Sequence, residues 1–394
     1  MPVIDRSPLF SSRWLLLLLI SLCCISFHGN PRKTEGQAPR VRIDTAQIIA
    51  AFGQQVKAEA EQEGVGSISA CIFAGDRIIA WSAFGKADNE RGTDADTSTI
   101  YRIGSLSKSI TAYLMMLLVQ EGKVQLDDPV SKYVPEILQV KQNGRSEAGI
   151  ITLRQLASHS SGLAREPDLA DASSGPVGDW ESKVLKALPT TQMPYSPGER
   201  YLYSNIGYAT LGLALSRAAQ QPFMDMIAQR VLKPMQMNSS FFIIPPGYAP
   251  RIAAGYHRTA SGGVDARIPL REHAGRGYRV PNGGIYATPG DYARFIMSLE
   301  GKGSPLKRKY REMMQTIQVQ ERNNTGYGFG FSVSNGDPAM KIVSHSGSVP
   351  GYLSYMVFNP DTRIGVVIMK NYDYGMDNLV PSARAVVRQL LKGY

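Results

Sequence analysis

Ser105 stands three residues ahead of Lys108, at the head of an apolar helical pattern made by Ile110, Tyr113, Leu114, Leu117 and Leu118. Residues three apart meet on one helix face, so the lysine amine can approach the serine hydroxyl. The start of that helix adds free N–H groups and a partial positive charge. A buried lysine loses its proton more readily than one in water, and can then accept the proton of the alcohol. The chemistry these residues allow is nucleophilic attack by Ser105 with Lys108 as base. A Ser-x-x-Lys pattern also arises by chance as a helix cap or a solvated pair, so the reading rests on two further segments of the chain.

Downstream, the turn Pro197-Gly198 leads into Tyr201-Leu202-Tyr203-Ser204-Asn205. A tyrosine relays protons if its pKa falls from about 10 toward neutrality, and a neighbouring ammonium would lower it. Tyr203 is the candidate for that role, and Asn205 for a hydrogen bond to a substrate amide. Taken alone, the pair also reads as a core tyrosine beside a turn asparagine. The third segment is Ser344-His345-Ser346-Gly347-Ser348, just before a strand pattern beginning at Tyr352. Gly347 would let a substrate approach the backbone closely. The amides of Ser105 and Ser348 would form the oxyanion hole that a tetrahedral intermediate requires. By itself this segment also reads as a Gly- and Ser-rich turn.

In this order, Ser105-x-x-Lys108, Tyr203-x-Asn205 and His345-Ser346-Gly347 resemble the three motifs of the class C β-lactamase-related serine hydrolases and penicillin-binding proteins. The resemblance runs over nearly all of the chain beyond its N-terminal linker. It extends to Leu156-Ala157-Ser158-His159-Ser160-Ser161-Gly162-Leu163, Gly283-Gly284-Ile285-Tyr286-Ala287-Thr288 and Tyr327-Gly328-Phe329-Gly330. It implies that Ser105 is acylated and that Lys108 and Tyr203 deprotonate it and protonate the leaving group. A water activated through Tyr203 then releases the acyl group. Asn205, His345, Ser346, Gly347 and Ser348 would hold the substrate, an ester, amide or D-amino-acid peptide, with room for weak β-lactamase activity. The alternative is a penicillin-binding sensor that stays acylated, or a non-catalytic scaffold of the same fold; the presence of Tyr203 favours turnover. No cofactor is implied. The five histidines, His28, His159, His257, His273 and His345, show no metal-ligand spacing, and His159 reads as structural.

One departure matters. The class C β-lactamases carry Lys-Thr-Gly where this chain has His345-Ser346-Gly347, so a permanent cation has become a titrating imidazole. Weaker recognition of a β-lactam carboxylate is the expected consequence. Glu166-Pro167-Asp168-Leu169 looks like the acidic loop that supplies a deacylation base in class A β-lactamases. It precedes Tyr203 where that loop should follow the second motif, so Glu166 reads as an ordinary surface acid. Gly-x-Ser-x-Gly is absent, which argues against an α/β-hydrolase.

The scaffold around these residues is legible in part. Thr45 can cap a helix with apolar positions Ile48, Ile49, Phe52 and Val56. Ser67 to Ala74 and Ile78 to Phe84 flank the turn signal Gly75-Asp76, and Tyr352 to Phe358 and Arg363 to Met369 flank Asn359-Pro360-Asp361, giving two hairpins. Thr288-Pro289-Gly290-Asp291 opens a helix, and Pro381 to Leu391 can close the chain with another. The expectation is an α+β fold of the β-lactamase/transpeptidase-like type. Its mainly antiparallel sheet would be built from both chain ends, with flanking helices and a central helical subdomain at about residues 110–310.

At 394 residues, 43% hydrophobic and 19% charged, the chain has the composition of one globular catalytic domain, placed at 43–394. The net charge of +10 is scattered, without the basic stripe and interleaved aromatics of a nucleic-acid binder. Arg6 and Arg13 precede an apolar run from Trp14 to Phe27, shorter than the about 20 residues that span a bilayer. Residues 1–29 therefore read as a signal peptide or a short membrane anchor, followed by a linker at 30–42. Export to the periplasm, secretion or membrane anchoring through the N-terminus follows from either reading. Cys23 and Cys24 lie in the apolar run, and Leu22 is bulky where a lipidation signal wants a small residue. Loss of that run would leave Cys71 alone, with no intrachain disulfide.

Overall fold

The structure, a computed structural model, describes residues 44–140, 148–267, 276–337, 340–375 and 378–392. The expected signal peptide or short membrane anchor, the expected linker, Cys23, Cys24, His28 and His273 lie outside the described residues. Helix α1 (Thr45–Glu63) starts on Asp44, whose carboxylate accepts the amides of Ala46 and Gln47, and stops at Gly64 with φ 65°. The cap thus falls one residue before Thr45. An acidic side chain there satisfies two orphan amides and complements the helix dipole, which a hydroxyl does less well.

Strands β1 (Ser67–Ala74), β2 (Arg77–Asp88), β3 (Thr93–Asp94) and β4 (Tyr101–Arg102) follow. A single 3-10 turn, Gly104–Leu106, leads into α2 (Ser107–Gln120). The middle of the chain holds α3 (Leu153–Ala157), α4 (Trp180–Ala187) and α5 (Asn205–Ala219). The strands there are two residues each: β5 (His257–Arg258), β6 (Val264–Asp265) and β7 (Tyr286–Ala287). Helix Pro289–Glu300 is capped by Thr288 as its sequence suggests. Then come β8 (Val319–Arg322), β9 (Thr325–Tyr327), β10 (Ser332–Asp337), β11 (Met340–Val349), β12 (Tyr352–Asn359), β13 (Ile364–Lys370) and the closing helix Leu379–Leu391.

One nine-stranded sheet runs in the order β3-β2-β1-β13-β12-β11-β10-β9-β8, and every pairing in it is antiparallel. Both expected hairpins are present, and the β1–β13 pairing joins the two ends of the chain, so the expected α+β architecture holds. Strand β1 is buried along its whole length. Its period of two sends Ile68, Ala70 and Ile72 toward Phe52 and Val56 of α1 and Val387 of the closing helix. Cys71 and Phe73 face the opposite core, which contains α2. Cys71 is a buried free thiol whose pKa burial raises.

Two corrections concern strands. The segment Ser344–Ser348 is not a turn: it forms half of β11, which pairs with β12 from Val343↔Phe358 to Val349↔Tyr352. Gly and Ser are poor strand formers, and the apolar partner strand overrides that preference. Strands β8 to β10 were not expected either, because β8 is largely exposed and lacks clear alternation. Among the described residues no helix is long and apolar enough to cross a membrane.

Candidate active site

Helix α2 is buried on all sides from Ser107 to Leu118, as a core helix must be, and this fixes the direction of its first turn. Ser105 sits on the 3-10 turn ahead of it, not in the helix proper. The turn is wedged against β11. A Cβ on Gly347 would lie 2.2 Å from the Ile103 carbonyl oxygen and 2.3 Å from Ser354 Oγ. The glycine is therefore required by the protein's own nucleophile turn, whereas the sequence suggested that a substrate would occupy that space. Gly104, at φ 51°, is equally close to β11, with Ser348 N 2.9 Å from where a Cβ would sit.

Lys108 is fully buried, and its Nζ lies 3.1 Å from Ser105 Oγ, 2.8 Å from Asn205 Oδ1 and 3.0 Å from the Asn282 carbonyl oxygen. Burial first, then the positive charges of Arg165 and Arg279, hold its pKa well below the usual lysine value, against the opposing pull of Glu166. The orientation of Asn205 is set from outside, because its Nδ2 donates to Glu166 Oε1 at 2.6 Å, so Oδ1 must face Lys108. A neutral amine has two N–H groups and one lone pair. Asn205 Oδ1 and the Asn282 carbonyl can only accept, so they take both N–H groups and leave the lone pair for the Ser105 hydroxyl.

Tyr203 hydrogen-bonds Ser105, with Lys108 Nζ 4.7 Å from its ring centroid. Its pKa moves opposite to expectation: burial pushes it up to about 12, outweighing the Ser105 hydrogen bond and Arg165. The amine, and not the phenol, is the group pushed toward its free base. The His159 ring lies 4.1 Å from that of Tyr203 and 4.6 Å from that of Tyr327, and its Nδ1 accepts the Ser204 amide at 3.0 Å.

His345 is 5% exposed; its Nδ1 donates to the Ser346 carbonyl at 2.7 Å, which leaves Nε2 to accept from the Tyr327 hydroxyl at 2.8 Å. Burial, helped by Lys108, drives its pKa down to about 3. The third motif thus presents a neutral imidazole near pH 7, not a titrating one. Ser346 and Ser348 are exposed on β11, while His345 and Gly347 point inward.

Ser105 opens onto a cavity of about 140 Å³ that is also lined by Asn205, Ser348 and Glu166. Glu166 is not an ordinary surface acid. It accepts from Asn205 and from the Tyr278 hydroxyl, and Arg279 Nη2 lies 3.2 Å from it. Sequence order argued against it, and no spacing rule links Glu166 or Arg279 to Ser105. Asn205 lines the same cavity, and its amide joins Lys108 to Glu166.

The sequence model of the family described as Beta-lactamase matches residues 46–390. The chain belongs to the Beta-lactamase family. Members of the Beta-lactamase family are usually serine hydrolases. The chain is 26% identical over 315 residues to Protein flp of Staphylococcus aureus (strain MW2), covering 77% of this chain and 59% of that protein. It therefore spans about three fifths of that relative's length. It is 25% identical over 344 residues to the D-alanyl-D-alanine-carboxypeptidase/endopeptidase AmpH of Escherichia coli (strain K12), covering 80% of this chain and 84% of that protein. Among solved structures, the octameric penicillin-binding protein homologue from Pyrococcus abyssi superposes with a TM-score of 0.72 at 28% identity, covering 88% of this chain and 77% of that chain. The β-lactamase/transpeptidase-like fold expected from the motifs is therefore the fold of this chain.

Proposed function

We propose that this chain is an exported serine hydrolase that cleaves a small ester, amide or D-amino-acid peptide through an acyl-enzyme on Ser105. The observation that carries the reading is the set of acceptors around Lys108, which leaves its lone pair facing Ser105. Ser105 Oγ attacks the scissile carbonyl as its proton passes to Lys108 Nζ. Tyr203, still protonated, gives its proton to the leaving group and takes one back from Lys108. In the second half a water repeats the attack, its proton moving by the same route, and Ser105 leaves as the alcohol. The amides of Ser105 and Ser348 flank the position of the developing oxyanion. The carboxypeptidase named among the relatives supports a peptide substrate, and the N-terminal apolar run behind Arg6 and Arg13 supports export.

The test follows p-nitrophenyl butyrate hydrolysis with intact mass recorded during turnover, for the wild type and Ser105→Ala. Steady turnover with a transient acyl mass, both lost in the variant, is the expected result. Equal behaviour of the two proteins would remove Ser105 as nucleophile. An acyl mass that forms and persists would instead favour the penicillin-binding sensor.

A further inference from the structure

The cavity in front of Ser105 is lined by four arginines, Arg102, Arg165, Arg276 and Arg279, against one carboxylate, Glu166, among the described lining residues. That carboxylate is already engaged by Asn205, Tyr278 and Arg279. Arg276 is 4% exposed. Its Nη1 donates to the Gly284 carbonyl, its guanidinium stacks 4.5 Å from the Tyr286 ring centroid, and its Nε has no partner among the described residues. Arg279 Nε is likewise buried without a partner. A buried guanidinium that meets a carbonyl and a ring, but no anion among the described residues, is left with desolvated charge that an incoming anion would offset. The third motif supplies no cation, because His345 is neutral and its ring nitrogens are taken by Ser346 and Tyr327.

We infer that the substrate of Ser105 carries a carboxylate that docks on Arg276 and Arg279, borne by a short group that fills this cavity. This rests on the hydrolase reading above. The volume of about 140 Å³ sets the size. A cavity of about 150 Å³ accommodates benzene, so the docked group has about six non-hydrogen atoms. The arginine fork matches a carboxylate in two parallel hydrogen bonds, which a neutral group of the same shape cannot accept.

The experiment compares kcat/KM for p-nitrophenyl hydrogen glutarate with its neutral isostere, p-nitrophenyl isoheptanoate, corrected for spontaneous hydrolysis. A second pair places the carboxylate on the leaving group: the butyrate ester of p-hydroxybenzoate against that of its methyl ester. The expected result is a preference of at least about tenfold for the carboxylate in one pair. That preference should collapse toward unity in Arg276→Gln and Arg279→Gln and shrink as salt is raised. Arg279 is one-third exposed, so its variant keeps the test if Arg276→Gln does not fold. Ratios near unity in both pairs, or a preference surviving in every folded variant, would overturn the inference. Turnover of p-nitrophenyl butyrate with flat ratios would remove the carboxylate docking alone. Absence of any acyl mass on the wild type would remove the hydrolase reading and this inference with it.

Discussion

Glu166 decides which end of Asn205 meets Lys108. Because Nδ2 is held by the carboxylate at 2.6 Å, Oδ1 reaches the amine at 2.8 Å, and a residue outside all three motifs sets the hydrogen-bond direction at the base. The negative charge of Glu166 also favours the ammonium form of Lys108. Glu166→Gln removes that charge and can still accept from Asn205. Lys108 should then lose its proton at lower pH, and the acid limb of the kcat/KM profile should move down. A limb that stays in place would mean that the proton acceptor is not Lys108. Glu166→Leu frees Asn205 to turn and should lower kcat by roughly ten- to a hundredfold, since misplacement of a catalytic group costs on that order.

Lys108→Arg retains a positive charge but cannot become a base. The loss expected for removing a general base is on the order of a hundred- to ten-thousandfold in kcat/KM. Activity in the wild type should rise as pH climbs through the depressed Lys108 pKa, because the free amine is the working form. A pH–rate profile with no such rise would contradict the assignment.

His345 makes a separate prediction about stability. Its pKa is about 3 in the folded chain and about 6.5 when unfolded. Between those values the unfolded chain binds the extra proton, so the stabilisation is complete above about pH 6.5 and is lost as pH falls toward about 3. The slope is about 1.4 kcal/mol per pH unit within the window, and His159 acts in the same direction. Urea midpoints at pH 7 and pH 4.5 should fall more for the wild type than for His345→Gln. Equal falls would show that the imidazole is already charged in the folded state.

Gly347→Ala tests the wedge between β11 and the nucleophile turn. Its methyl group would meet the Ile103 carbonyl and Ser354 Oγ at under 2.4 Å, so the turn must shift. A shift of about 1 Å is worth on the order of a hundredfold in rate, so kcat should drop far more than the thermal midpoint. Unchanged kcat would mean that the turn tolerates displacement.

The hairpins, the terminal helices and the three motifs were legible because each is a local pattern: alternation, a turn signal, or a fixed spacing. The direction of the Tyr203 shift was not, since a neighbouring ammonium and burial pull opposite ways, and only the packing of His159 and Tyr327 around the site decides between them. Glu166 was seen and set aside on its order in the chain, whereas Arg276 and Arg279 were invisible as site residues for another reason. They come from connections with no periodicity, and contact made across a hundred or so residues of chain leaves no mark in local sequence. His345 carried a misleading signal, because the residue type suggests titration and the burial that prevents it is a property of the strand.

Strand β13 lies between β1 and β12, so the first hairpin shares a neighbour with strands that are made long after it. Chains emerge from their N-terminus, and pairings between distant segments form slowly. Until Ile364–Lys370 is in place, β1 has an unpaired apolar edge, which is the kind of surface that sticks to other chains. The strands β11 and β12 that wall the nucleophile turn are meanwhile not joined to β1. A chain cut at Asn359 would be as inactive as one without its serine, and a newly made one needs protection from aggregation until β13 arrives.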